Sequence, residues 1–205
     1  MGEIGLRERK RRRMYQDVSD IAIGLFLEKG FDAVSVAEVA AVAEISKPTL
    51  FRYFPSKEDL VLYRFADHED EAARVALRGP SAVEALRRHF LDGLERRDPI
   101  TGLNDSPEVL AYHRLLYGTP SLVARLYGYL ERSEAALAEA LGGDLGARLA
   151  AGQIVAVQRV LAQENWGRIA RGEGVERVRP DAVAAAEKAF ARLGAGLPEY
   201  AEYTE

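Results

Sequence analysis

Between Ser46 and Phe54 the chain reads Ser-Lys-Pro-Thr-Leu-Phe-Arg-Tyr-Phe, a run whose side chains suit contact with nucleic acid. Lys47 and Arg52 can donate to guanine edges or phosphates, and Pro48 with the Thr49 methyl can contact thymine methyls. Ser46 and Tyr53 complete the polar surface of this segment. As a helix it spans ~12 Å at ~1.5 Å per residue, close to the ~12 Å width of a major groove. Proline is tolerated here because first-turn amides have no intrahelical acceptor.

Three further features fit phosphate contact. Lys57 falls in the first turn of the next helix, whose N-terminus favours an anion. Ser35 opens the preceding helix and offers a hydroxyl with amides behind it. Arg11 and Arg12 lie within Arg9-Lys10-Arg11-Arg12-Arg13, a run able to track a phosphate backbone. Leu50 is expected to point inward with Val39, Val42 and Ile45, locking the reading helix onto its partner. Phe54 is expected in the core, and Phe51 fits either core or surface.

The elements that must position these residues are marked by caps. Sustained period-two alternation is absent, and Ala, Leu, Arg and Glu are abundant, so an all-α fold is expected. A first helix runs from about Arg9 to Lys29, with Val18, Ile21, Ala22, Leu25 and Phe26 as its apolar stripe, and Gly30 ends it. Ser35 with Glu38 is a capping box, Ser46 caps the third helix, and Ser56 with Asp59 caps the fourth. Ser81 with Glu84 opens a fifth, followed by a loop over 99–105. Ser106-Pro107 and Thr119-Pro120 each start a helix, and Gly142-Gly143 ends the second of these. A long helix is expected over 145–171 and a last one over 180–194. The count is about nine helices and no strands.

Net charge is −4, but it is unevenly spread: residues 1–64 hold 11 basic against 10 acidic side chains, the remainder 17 against 22. A basic end can therefore face a polyanion while the acidic part faces away. With no cysteine, disulfides and thiolate chemistry are excluded. No apolar run approaches the ~18 residues of a membrane span. The start lacks a signal-peptide core, and Leu6 departs from the myristoylation pattern that Met1-Gly2 suggests. A cytoplasmic, nucleoid-associated protein is expected. Two parts are expected, divided along the fourth helix: 1–60, a helix-turn-helix DNA-reading part with a basic arm, and 61–205, a larger helical body.

The segment from Phe26-Leu-Glu-Lys-Gly-Phe through Thr49-Leu-Phe-Arg-Tyr-Phe-Pro-Ser-Lys-Glu-Asp-Leu60 resembles the TetR family of bacterial transcriptional regulators over about residues 10–65. The resemblance implies an all-α homodimeric repressor with a three-helix DNA-binding domain on a helical ligand-binding and dimerisation body. Two positions depart from the family pattern. Glu44 stands in the turn where Gly is usual, so a positive φ there would be strained, and Pro48 replaces a small or flexible residue. Tyr112-His-Arg-Leu-Leu-Tyr117 and the long final helices are similar to the actinobacterial branch that includes mycofactocin-associated regulators. That likeness implies an acyl-CoA-like or other apolar effector.

In the helical body, Phe90, Tyr112, His113, Tyr117, Tyr129 and Trp166 are the candidate ligand-binding residues, with Arg114, Gln158 and Asn165 as further polar hooks. The long helix carries Ala147, Ala150, Ala151, Ile154, Val157 and Leu161, and the last carries Ala182, Ala186, Phe190 and Leu193. Small residues of this kind suit a four-helix homodimer interface over 145–171 and 180–194. A two-fold dimer predicts a pseudo-palindromic double-stranded operator. Neither cofactor nor metal is expected. Two rivals are weaker. Asp67-His68-Glu69-Asp70-Glu71 as a cation site of an enzyme is disfavoured, because on a helix these residues point all round the axis, and no catalytic motif accompanies them. A membrane-docking basic arm leaves 46–53 unexplained.

Overall fold

The computed structural model describes residues 6–66, 68–79 and 81–201. These form α1 (Leu6–Lys29), α2 (Val36–Val42), α3 (Lys47–Tyr53), α4 (Asp59–Ala66), α5 (Glu71–Ala76) and α6 (Ala82–Glu95). A 3-10 turn at Pro99–Thr101 precedes α7 (Pro107–Gly118), α8 (Pro120–Ala140), α9 (Leu145–Ala170), α10 (Val175–Gly196) and α11 (Pro198–Ala201). Strands are absent among the described residues, and no described helix is long and apolar enough to cross a membrane.

The caps behave as local chemistry requires. Ser35, Ser46 and Ser81 each accept a hydrogen bond from the amide three residues on, at 3.1–3.2 Å. Ser56 and Asp59 exchange a reciprocal pair, Ser56 N–H to Asp59 Oδ2 at 3.0 Å and Asp59 N–H to Ser56 Oγ at 3.2 Å. Two helices beyond the expected nine, α5 and α11, are too short for a periodic signal. Packing sustains α5, which buries Val75 and Ala76. The start expected near Pro180 lies instead at Val175, behind Gly174. An interior proline costs a helix ~3 kcal/mol. Burying Val175 (2% exposed) and Val178 (0%), at roughly 1.5–3 kcal/mol each, offsets that cost.

Two compact units divide the chain. One holds 1–67 and 111–128, the other 68–110 and 129–205, so α7 and α8 contribute to both. In the first, α1 buries Val18, Ala22, Ile23 and Phe26, with Ile21 and Leu25 only half-buried. The face is turned from the expected stripe because Ser19 also enters it, donating its hydroxyl to the Leu60 carbonyl at 2.7 Å. Tyr15 stacks on Tyr63 at 5.1 Å and meets Tyr53 and Phe54 edge-on at 5.1 and 5.2 Å.

In the second unit, Leu86, Phe90, Leu94, Ile154, Val178, Ala186 and Phe190 form one core. The 97–104 loop is pinned to α9: Asn165 Nδ2 donates to the Thr101 carbonyl at 2.9 Å. Gly102, at φ +73°, approaches so closely that a Cβ would lie 2.0 Å from the Ala162 carbonyl oxygen. The small residues expected at a dimer interface are internal instead: Ala147, Ala150, Ala151, Ile154, Ala182, Ala186, Phe190 and Leu193 are all buried within the chain. The outward stripe of α9 is a different set, Leu145, Leu149, Ala156 and Val160. Its three large members are 54–69% exposed.

Candidate nucleic-acid interface

The joint between α2 and α3 is a Schellman turn. The Ile45 amide donates to the Ala40 carbonyl at 3.0 Å and the Glu44 amide to the Ala41 carbonyl at 3.2 Å. Its left-handed residue is Glu44, at φ +54°, where a side chain is strained. On α3, Leu50 is fully buried, as are Val39 and Ala40 on α2. Val42, expected inside, is 52% exposed, because three residues past Val39 the helix has rotated beyond the buried edge. Ile45 is half-buried.

Ser46, Lys47, Pro48, Phe51 and Arg52 are exposed, and Thr49 and Tyr53 are half-buried. The Lys47 ammonium lies 5.9 Å from the Phe51 ring centre. Arg52 stacks its guanidinium 5.0 Å from the Tyr53 ring and donates to the Tyr53 hydroxyl at 3.2 Å. The Ser46 and Thr49 hydroxyls are 2.7 Å apart. This surface is basic at its edges and apolar between them, a combination that can meet phosphates and thymine methyls together. Phe54 is core, 2% exposed.

Ser35 holds the α2 N-terminus in the first unit. The basic run is helical, part of α1, and Arg11 is exposed, while the Arg12 side chain lies outside the described residues. Lys57 differs from expectation. Its ammonium donates to the Phe31 carbonyl and sits 4.3 Å from the Phe31 ring and 5.4 Å from the Phe26 ring. It therefore fastens the α3–α4 loop to the turn after α1. No local spacing announces a partner 26 residues away.

The six ligand candidates fall in both units. On α7, Tyr112 and His113 are buried and Tyr117 is half-buried, with ring centres 5.9–6.0 Å apart in sequence order. The Tyr112 hydroxyl donates to the Val61 carbonyl at 2.9 Å. Burial pushes the His113 imidazole down to about 4, leaving it neutral at neutral pH. In the second unit, Phe90 packs 6.1 Å from Phe190 in the core, Tyr129 lies under the Arg132 guanidinium at 4.3 Å, and Trp166 adjoins Gly102. Among the hooks, Arg114 is exposed, Gln158 half-buried and Asn165 committed to Thr101. A groove of about 340 Å³ is lined by Arg78, Glu84, Arg88, His89 and Asp92 together with Val75 and Ala85.

The acidic cluster is occupied internally. Glu69 accepts from Arg132 at 2.9 Å, Asp70 from Arg74 at 3.2 Å, and Glu71 lies 2.6 Å from His68 and 3.5 Å from His89. The two imidazoles hold the Glu71 carboxyl well below its usual range. Asp67 lies outside the described residues, and among those described no group is arranged to hold a metal.

A short helix locked by one buried leucine, following a tight turn and presenting basic and apolar side chains, has the geometry of a helix-turn-helix. Residues 20–63 match the sequence model of bacterial regulatory proteins of the tetR family. The chain is 36% identical over 135 residues to the transcriptional regulator TcmR of Streptomyces glaucescens, covering 63% of this chain and 58% of TcmR. It is 31% identical over 120 residues to MftR, the regulator assigned to mycofactocin biosynthesis in Mycobacterium tuberculosis, covering 53% and 61%. The matches thus span about three-fifths of these curated relatives. The fold is that of the regulator FadR of Bacillus subtilis, solved with stearoyl-CoA, at a TM-score of 0.54 and 17% identity over 89% of this chain and 98% of that one. Over its N-terminal part the chain is thus similar in sequence to bacterial regulatory proteins of the tetR family.

Proposed function

We propose that this chain is a homodimeric repressor that reads a pseudo-palindromic operator through α3 and is released by a small, largely apolar effector. The observation that carries the reading is α3 itself, with Ser46, Lys47, Pro48 and Arg52 exposed around a buried Leu50. Lys47, Pro48, Thr49 and Arg52 read base edges. Ser35, Ser46, Tyr53, Arg11 and Arg12 hold phosphates, and Lys57 braces the reader from behind. Residues 1–60 constitute the reading part, and 61–205 the sensing and pairing part, working in the cytoplasm on the nucleoid.

Pairing uses the outward faces of the last two long helices. Leu145, Leu149 and Val160 on α9 are large, apolar and exposed, and such a stripe is stabilised when a second copy covers it. The two-fold axis then sets the readers about one helical turn of DNA apart, ~34 Å. Phe90, Tyr112, His113, Tyr117, Tyr129 and Trp166 remain the residues assigned to the effector. FadR's stearoyl-CoA and the apolar character of this set support an acyl-chain ligand. Of the six, Tyr112 touches α4 directly, so an effector displacing it acts on the reader. Ligand and DNA must favour different states for release to occur.

Footprinting on the DNA upstream of its own gene tests this reading. Two protected half-sites about one turn apart, lost on adding a long-chain acyl-CoA, are expected. Protection without two-fold symmetry excludes the dimeric repressor.

A further inference from the structure

Asp59 has more partners than its capping role requires. Its side chain is 6% exposed, and its Oδ2 already accepts the Ser56 amide. From α8, 66 residues away, the Arg125 fork closes on the same carboxylate: Nε donates to Oδ1 at 2.8 Å and Nη2 to Oδ2 at 3.0 Å. A bidentate guanidinium fixes direction as well as distance. Asp59 opens α4, six residues after α3 ends at Tyr53. The intervening loop has little freedom, since Phe54 is buried and Lys57 is fastened to Phe31. Two residues on, the Tyr112 hydroxyl holds the Val61 carbonyl, and Arg64 lies 5.5 Å from the Tyr112 ring while pairing with Asp20 at 2.8 Å.

We infer that Arg125 is a positioning residue for DNA binding: through Asp59 it sets the start of α4, and with it the C-terminal end of the reading helix. The inference rests on the DNA-reading assignment of α3. Arg125 is itself 42% exposed, so the competing role is a direct phosphate contact, and the two differ in salt dependence. Each phosphate contact contributes ~0.9 to the slope of log affinity against log salt. A residue acting from behind the reader lowers affinity and leaves that slope alone.

The experiment compares the full-length protein with Arg125→Ala, Arg125→Lys, Asp59→Asn and the Arg125→Ala/Asp59→Asn double variant. Asn keeps an acceptor for the Ser56 amide. The probe is a duplex enriched by the wild-type protein from a random-sequence pool, titrated over a range of salt. Amide exchange is measured on the same proteins without DNA. Arg125→Ala is expected to weaken binding about tenfold at every salt concentration, within the span by which residues off the binding surface modulate coupling. Arg125→Lys, which keeps the charge without the fork, recovers part of the loss, and the double variant is no weaker than Arg125→Ala. Exchange rises over 47–62 and not along α9. Unchanged affinity, a slope lower by about 0.9, or exchange rising equally along α9 overturns the inference. If the pool yields no duplex, the DNA-reading assignment fails by itself. Exchange over 47–62 then decides the positioning role: faster in Arg125→Ala upholds it, unchanged overturns it.

Discussion

Lys57→Met separates bracing from phosphate contact at one position. Methionine keeps the unbranched stem over Phe26 and Phe31 and removes the ammonium. The lost interactions are a hydrogen bond from a charged donor to the Phe31 carbonyl and attraction to two rings at 4.3 and 5.4 Å. A charged hydrogen bond contributes ~1.5–3 kcal/mol and an exposed cation–π contact ~0.5–1 kcal/mol. Because Lys57 is half-buried, the low end applies, about 2 kcal/mol in total. For a chain of this size, ~2–4 °C per kcal/mol makes that a fall of roughly 4–8 °C in Tm. Thermal unfolding followed by circular dichroism measures it, and DNA titrations over a range of salt supply the second readout. The bracing role predicts the fall in Tm with an unchanged salt slope. An unchanged Tm with a slope lower by about 0.9 would refute the reasoning and return Lys57 to the phosphate backbone.

Glu44→Gly relieves the left-handed residue of the Schellman turn, at ~1–2 kcal/mol, less ~0.4–1 kcal/mol for the freer unfolded chain. A net gain of between zero and about 1.6 kcal/mol in urea unfolding is expected, and a loss contradicts the strain. Gly102→Ala drives a Cβ into the Ala162 carbonyl. It should cost about 3 kcal/mol or more by the same measurement, and a change below about 0.5 kcal/mol would mean that the loop moves freely. Leu149→Glu with Val160→Glu should halve the mass seen by light scattering while helicity is kept; an unchanged mass removes α9 from the interface. For His113, burial puts the folded value near 4, below the ordinary 6.5. The unfolded chain therefore binds the extra proton between these values, and stability falls as pH drops from about 6.5 towards 4. In His113→Gln the pH dependence of the urea midpoint should flatten over that window, and an identical slope in both proteins contradicts the assignment.

The legible parts of this chain were those governed by local chemistry. Ser35, Ser46, Ser56 and Ser81 cap helices through atoms three residues away, so spacing alone locates them. Glu44 was readable only through the family resemblance, which puts Gly at that turn, and its φ of +54° is the left-handed value a Gly would adopt without strain. Long-range choices were not readable. Val175 starts α10 because it is buried, against the signal of Pro180. Lys57 and Arg125 are basic side chains like any other until their partners, Phe31 and Asp59, are brought beside them. Small residues at helical spacing on α9 fit an internal core and a dimer interface equally well. Here the core holds Ala147, Ala150 and Ala151, and the outward stripe begins at Leu145. The ligand candidates share an aromatic composition that does not specify a place, and they divide between the two units.

The central claim is that α3 reads DNA, and salt-dependent binding of Lys47→Ala/Arg52→Ala tests it most directly. On a duplex enriched by the wild-type protein, wild-type affinity should fall linearly in log–log salt titration, and the double variant should lose most of the affinity while keeping its helicity and Tm. Where the two side chains touch phosphates, the slope should also drop by up to ~1.8, about 0.9 for each. Equal affinity and slope for the two proteins would contradict the account.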